Sequence, residues 1–314
     1  MSQLVGAIIS FAFYQTVIRT TTPLLLATLG GLIADLSGAL NVALEGQMLI
    51  GCLTAVIVSV YTPWYVAVLA ALLVGGLLGL LMAFFALKMR ADIILVGFAI
   101  NILASGGTVF VLALATGGDK GTSINLQSKA VPAIDLGFLD AIPGVGPILT
   151  GLFSGHSVLS WVAALLVIGI WYFLYRTPWG LWLRGVGEYP AAPEAAGIPV
   201  NAVRTWSLLF SGALAGLGGA QLAMFNFVGF TRDMTAGRGF IALGAVLLGA
   251  RHPVGALLAA LLFGAFDGLT TILPGLFDWV PPEIIHMTPF IVTILALVLF
   301  SIRAQRLLAL RGAH

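Results

Sequence analysis

Six polar side chains sit where the surrounding sequence is almost wholly apolar: Asn41, Glu45, Gln47, Asn101, Gln221 and Asn226. Polar groups inside lipid are costly, so those that persist there are candidates for a solute pathway. Asn and Gln amides donate and accept hydrogen bonds at once, which suits a neutral polar solute. Phe98, Phe225 and Phe227 can stack on a ring. The same amides also tie helix to helix, and Glu45 and Asp267 equally suit structural acids paired near a helix end, so both roles stay open. Catalytic chemistry finds no such support. His156, His252, His286 and His314 lack metal-ligand spacing, and no HExxH, GxSxG or close carboxylate pair occurs. No metal and no cofactor are expected.

Composition says what must position these residues. Of 314 residues, 60% are hydrophobic and 8% charged, with mean hydropathy +1.09. A soluble domain has about a quarter charged residues, so this chain belongs in a lipid bilayer. Backbone groups in lipid must be satisfied internally, and without the alternating segments of a barrel the fold class is all-α and polytopic. Helices are expected near 4–18, 22–36, 41–60, 64–87, 93–116, 157–175, 205–227, 239–250, 253–273 and 287–302. The second and eighth are short for a bilayer of about 30 Å and read as re-entrant or tilted. Within the third, Asn41 and Glu45 fall at i, i+4 on one face. Gly75 and Gly79, Gly212 and Gly216, and Gly264 and Gly268 form GxxxG pairs that let backbones approach. The lone Cys52 excludes an internal disulfide and reads as an inert core thiol. The amino terminus lacks a basic n-region and a cleavage site, and reads as a retained first helix.

Lys and Arg set the orientation. With a cytoplasmic amino terminus, Lys88, Arg90, Arg176, Arg184, Arg204, Arg251, Arg303, Arg306 and Arg311 fall inside, nine of fourteen. Arg19, Lys120, Lys129, Arg232 and Arg238 fall outside, Arg238 reading as a contact at the outer gate or as an interfacial anchor. Charges this sparse make nucleic acid an unlikely partner. Two polar interruptions remain. The outer one, about 117–156, is rich in Gly and Pro with apolar pieces suited to short surface helices. The inner one lies within about 177–204 and carries RGVGEYPAAPEAAGIPVNAVR. Pro190 can start a short helix there, and Gly197 followed by Pro199 stops it. Its small-residue face with Glu188, Glu194, Arg184 and Arg204 at the rim suits either a docked protein or a plain polar loop.

That segment, Arg184–Arg204, resembles the cytoplasmic coupling loop of bacterial ABC-transporter permeases, in the branch serving simple sugars, nucleosides and branched-chain amino acids. NVALEGQMLIG (Asn41–Gly51), ADIILVGFAIN (Ala91–Asn101) and TAGRGFIALGAVLLGARHPVGALLAALLFGAFDGL (Thr235–Leu269) resemble further parts of the same family, over most of residues 20–270. The resemblance implies one transmembrane permease domain over 1–314, about ten helices in a vitamin-B12-importer-like architecture, in the bacterial cytoplasmic (inner) membrane. It implies cytoplasmic ATPase subunits, a second and often different permease chain, an extracytoplasmic solute-binding protein and a small polar solute. ATPase coupling is thereby carried to Arg184, Gly187, Glu188, Pro190, Ala191, Ala192, Glu194, Ala195, Ala196 and Gly197. The ribose-type glycine-aspartate-leucine-serine run is missing from NVALEGQMLIG, which favours the nucleoside-like subgroup; the resemblance thus implies import of a nucleoside or related simple sugar by alternating access, with a branched-chain amino acid permease as the alternative. No GxxxxGK[ST] loop occurs, and GGDKGTS at 117–123 lacks its spacing, so ATP hydrolysis belongs to another chain. An ion-coupled secondary transporter is the rival reading, and it has no need of a docking segment.

Overall fold

The computed structural model describes residues 11–124, 126, 128–137, 146–272 and 298. The beginning of the helix expected at 4–18, the helix at 287–302 and Arg303, Arg306 and Arg311 lie outside the described residues. The element order is α1 Phe11–Leu36, α2 Leu44–Tyr61, α3 Trp64–Ala83, α4 Ile93–Thr116, β1 Ala133–Ile134, α5 Gly146–Phe153, β2 His156–Ser157, α6 Val158–Arg176, α7 Pro178–Glu188, α8 Ala191–Ala195, α9 Val200–Gln221, α10 Arg238–Leu248 and α11 Pro253–Ile272. Single π turns, Phe84–Lys88 and Leu222–Asn226, extend α3 and α9. Among the described residues seven helices are long and apolar enough to cross a membrane, and α10 is an eighth, shorter apolar helix.

The first two expected helices are one. Proline removes an N–H and disfavours a helix interior, yet α1 runs through residues 19–21, left as a gap between the expected helices, and through Pro23. Thr16, Thr20 and Thr22 donate their hydroxyls to carbonyls four residues back, which keeps them compatible with the helix. The carbonyl that Pro23 leaves without its i+4 donor is that of Arg19, and Asn226 Nδ2 donates to it at 3.0 Å. A residue 207 positions away thus completes the helix.

The expected all-α fold has a small exception: β1 and β2 pair antiparallel, with Ala133 opposite Ser157. They lie in the outer interruption, where α5 is one of the expected short helices. α9 is the central post, packed on α3, α1 and α2. Its glycines and those of α3 interlock: a Cβ on Gly75 would overlap the Gly212 carbonyl and lie 2.9 Å from Gly216 Cα, and one on Gly79 would overlap the Leu208 carbonyl. On α11, Gly264 meets Thr21 closely, whereas Gly268 has only ordinary contacts.

The bundle has two ends. Gly187 lies against Leu36 and Gly38, Arg204 reaches Ser37 and Arg251 reaches Asp35. At the opposite end Arg19 meets Phe225 and Asn226, and Lys129 meets Thr62. The cations expected inside and those expected outside thus lie at opposite ends of the bundle. We expect Gly75→Leu to force α3 from α9 and lower stability by about 1–3 kcal/mol, read as a fall in Tm of the purified protein in detergent.

Candidate functional site

Between Leu36 and Leu44 the chain leaves the helix, and α2 begins only after this connection. Asn41 is therefore not on a helix and shares no helical face with Glu45, contrary to the i, i+4 expectation. The cause is local: Asn41 Oδ1 accepts from the Ala43 N–H at 3.0 Å, an Asx-type turn that competes with helix. Asn41 is fully buried, and its Nδ2 donates to Gln47 Oε1 and to Ser211 Oγ on α9, both at 2.8 Å. Asn101 on α4 holds the same break from the other side. Its Oδ1 accepts from the Gly46 N–H at 2.8 Å and its Nδ2 donates to the Val42 carbonyl at 2.9 Å. Gly97, one turn earlier, lets Val42 come close, a Cβ there lying 2.8 Å from Val42 Cβ.

Glu45 faces a second helix start. Its Oε1 accepts from the Gly237 N–H at 2.9 Å and its Oε2 from the Gly239 N–H at 2.7 Å, at the beginning of α10. Gly237 has φ +80°, and a Cβ on Gly239 would overlap the Glu45 backbone nitrogen. One carboxylate therefore sits in the first turn of α2 and at the amino end of α10, where both helix dipoles favour negative charge. Beside it Arg238 Nη2 pairs with Asp267 Oδ2 at 2.9 Å, both side chains largely buried. Arg238 was expected outside; it lies within the bundle, level with a residue of α11 fourteen positions into that helix. Asp267 is thus a paired structural acid, the alternative kept open from the sequence.

The six candidates do not form one site. Asn41, Glu45, Gln47 and Asn101 converge on the break. Gln221 is fully buried elsewhere, its Oε1 accepting from Ser157 Oγ at 2.9 Å at the start of α6. Asn226 serves α1 at the outer end, where Arg19 stacks on Phe225 at 5.1 Å and donates to the carbonyls of Phe225 and Asn226. Phe98 and Phe227 are exposed on the bundle surface. The amide Nε2 atoms of Gln47 and Gln221 are buried with no hydrogen-bond partner among the described residues. Gly237, Gly239 and Ser211 were missed as site residues. The TAGRG spacing ahead of an apolar run was the available signal for the first two.

At the end that gathers Arg176, Arg184, Arg204 and Arg251, the interruption folds as two helices. α7 went unanticipated, although Thr177-Pro178 is a start signal: Thr177 Oγ1 accepts from the Gly180 N–H and Pro178 occupies the first turn. α8 is the expected short helix, ended by Gly197 at φ +81°. Pro193 is buried against Gly185, while Ala191, Ala192, Glu194, Ala195, Ala196 and Gly197 are exposed together. Glu188 is exposed and Pro190 half-buried beside them. The expected rim cations turn inward instead. Arg184 stacks on Tyr175 at 4.7 Å, and Arg204 Nε donates to the Ser37 carbonyl. Gly187 faces α1. Arg251 binds Asp35 through Nε at 2.6 Å and Nη2 at 2.9 Å; those hydrogen bonds raise its guanidinium above the usual range, with Glu188 adding to the effect.

The described residues form a helical bundle with seven candidate membrane spans, buried amides at a helix break and a small exposed helix at its cation-rich end. The chain belongs to the family of branched-chain amino acid transport system permease components, whose pattern matches residues 13–297. It is 38% identical over 296 residues to the guanosine ABC transporter permease protein NupQ of Bacillus subtilis, covering 90% of each chain. It is 35% identical over 291 residues to the nucleoside ABC transporter permease protein NupC of Lactococcus lactis, covering 89% of each. A 31% identity over 186 residues, 52% of this chain and 58% of the other, links it to a probable branched-chain amino acid transport permease protein of Methanocaldococcus jannaschii. No solved structure matches.

Replacing Glu45 with Gln sets an amide N–H2 against one glycine N–H at the start of α10. We expect a loss of about 1–3 kcal/mol in stability, read as a lowered Tm, with Glu45→Ala lower still.

Proposed function

We propose that this chain is the membrane-spanning subunit of an ATP-driven importer of the bacterial inner membrane, carrying a nucleoside by alternating access. The observation that supports it most directly is α8: six small or acidic residues exposed as a group, pinned by buried Pro193, at the end where the cations collect. Such a knob lets another protein's surface approach closely. In this reading α8 and its neighbours Glu188 and Pro190 seat a separate cytoplasmic ATPase, which supplies the hydrolysis. A second, related permease chain completes the membrane unit, and an extracytoplasmic solute-binding protein delivers solute at the opposite end. About ten helices in a vitamin-B12-importer-like arrangement is the architecture we assign to the full chain.

The nucleoside reading rests on the guanosine and nucleoside permeases that match across nine-tenths of the chain. The branched-chain match covers about half. Gln47, Asn41 and Asn101 are the groups we place along the solute path, since their break is where a change of packing would expose amides. Among the described residues, Gln47 Nε2 has no hydrogen-bond partner.

Two measurements test this. In proteoliposomes holding the full complex and its binding protein, unlabelled nucleosides should suppress labelled guanosine uptake while leucine leaves it unchanged; leucine competition without nucleoside competition would reverse the assignment. Ala192→Asp should reduce ATPase co-purification by about tenfold or more, since a buried unpaired charge costs well over 1.4 kcal/mol. Undiminished co-purification would remove α8 from the interface.

A further inference from the structure

The connection 37–43 is held at both ends by different machinery. At its cytoplasmic end the fit is backbone to backbone. A Cβ on Gly187 of α7 would overlap the Leu36 carbonyl and lie 3.1 Å from the Gly38 nitrogen. Gly38, at φ +75°, has Gly187 Cα 3.3 Å from where its own Cβ would stand. Arg204 Nε donates to the Ser37 carbonyl at 3.3 Å, and Asp35, one turn back, carries the bidentate bond from Arg251 in the α10–α11 turn. At its inner end the connection delivers Asn41 to Ser211 and Gln47, Val42 to Asn101, and then Glu45 to the start of α10. α10 returns to the cytoplasmic end and finishes at Arg251, so the contacts close a ring: α7, connection 37–43, Glu45, α10, Arg251, Asp35.

We infer that residues 37–43 are the lever that carries motion of the α7–α8 segment to the break at Asn41 and Glu45, with Gly187 against Leu36–Gly38 as its joint. This rests on the reading of α8 as the ATPase seat. Two features favour transmission over simple packing. No side chain lies between Gly187 and the α1 end, so a shift of α7 acts on the main chain without a compliant rotamer to absorb it. The connection is non-helical, so it changes its φ and ψ without breaking an internal hydrogen-bond ladder. The two arrangements to be distinguished are those in which Glu45 does and does not hold Gly237 and Gly239.

The test uses the complete transporter with Cys52→Ser and Leu40→Cys, Leu40 being exposed within the connection. The rate of thiol modification at position 40 is compared with and without vanadate-trapped ATP. We expect it to change about fivefold or more, the lower range of coupling between linked sites. Adding Gly38→Val, which wedges the joint, or Asp35→Asn, which loosens it, should abolish that change and the uptake while the ATPase still co-purifies and hydrolyses ATP. Asp35→Asn introduces no bulk, so it reports the lever even where Gly38→Val fails to assemble. A nucleotide-dependent change that persists in assembled variants, or a wild-type rate that ignores nucleotide, overturns the inference. If Ala192→Asp keeps its ATPase, the seat itself is misplaced; if Ala192→Asp releases the ATPase yet the joint variants transport normally, only the lever falls.

Discussion

The rest of the structure depends on keeping every main-chain N–H and C=O paired in a solvent that offers no hydrogen bonds. A continuous helix meets that demand alone. Among the described residues, the donor missing at Pro23 within α1 and the non-helical connections 37–43 and 227–237 each recruit polar side chains from elsewhere in the sequence. Asn226 serves the carbonyl at Arg19, Asn41 and Asn101 serve Ala43, Gly46 and Val42, and Glu45 serves Gly237 and Gly239. The polar side chains that read as solute ligands in one dimension also complete broken helices.

Such repairs need close approach, and glycine supplies it. Gly46 and Gly97 bring α2 and α4 together where Asn101 bridges them, and Gly239 seats α10 on the Glu45 backbone. The interlocked glycines of α3 and α9 build the rigid wall against which these movable contacts are set. Packing without side chains between helices also leaves few soft joints. Structural and functional readings of the polar cluster are therefore compatible: a hydrogen bond that holds a break in one state is one a transporter can exchange in another.

Charge follows the same division of labour. Arg238 with Asp267 and Arg251 with Asp35 tie α10 at its start and just past its end, to α11 and α1 respectively. The cations that face inward at the cation-rich end, Arg184 and Arg204, lie beneath α8 and leave its surface to alanine, glycine and two glutamates.

Composition and hydropathy alone settled the bilayer and helical class, because no soluble core can absorb so many apolar runs. They also located α8, since Pro190, Gly197 and Pro199 act through their own backbones, as do the GxxxG pairs. Local residues misled where a distant group intervened. Residues 4–18 and 22–36 read as two helices where the structure runs one through Pro23 with Asn226 supplying a donor, and Asn41 reads as helical until its own turn and Ser211 hold it outside. Arg238 reads as a surface cation until Asp267 pairs with it. Whether a polar residue in lipid touches solute or backbone is fixed by which main-chain group lies within about 3 Å. That proximity is created by packing residues up to two hundred positions apart, so only the tertiary structure decides it.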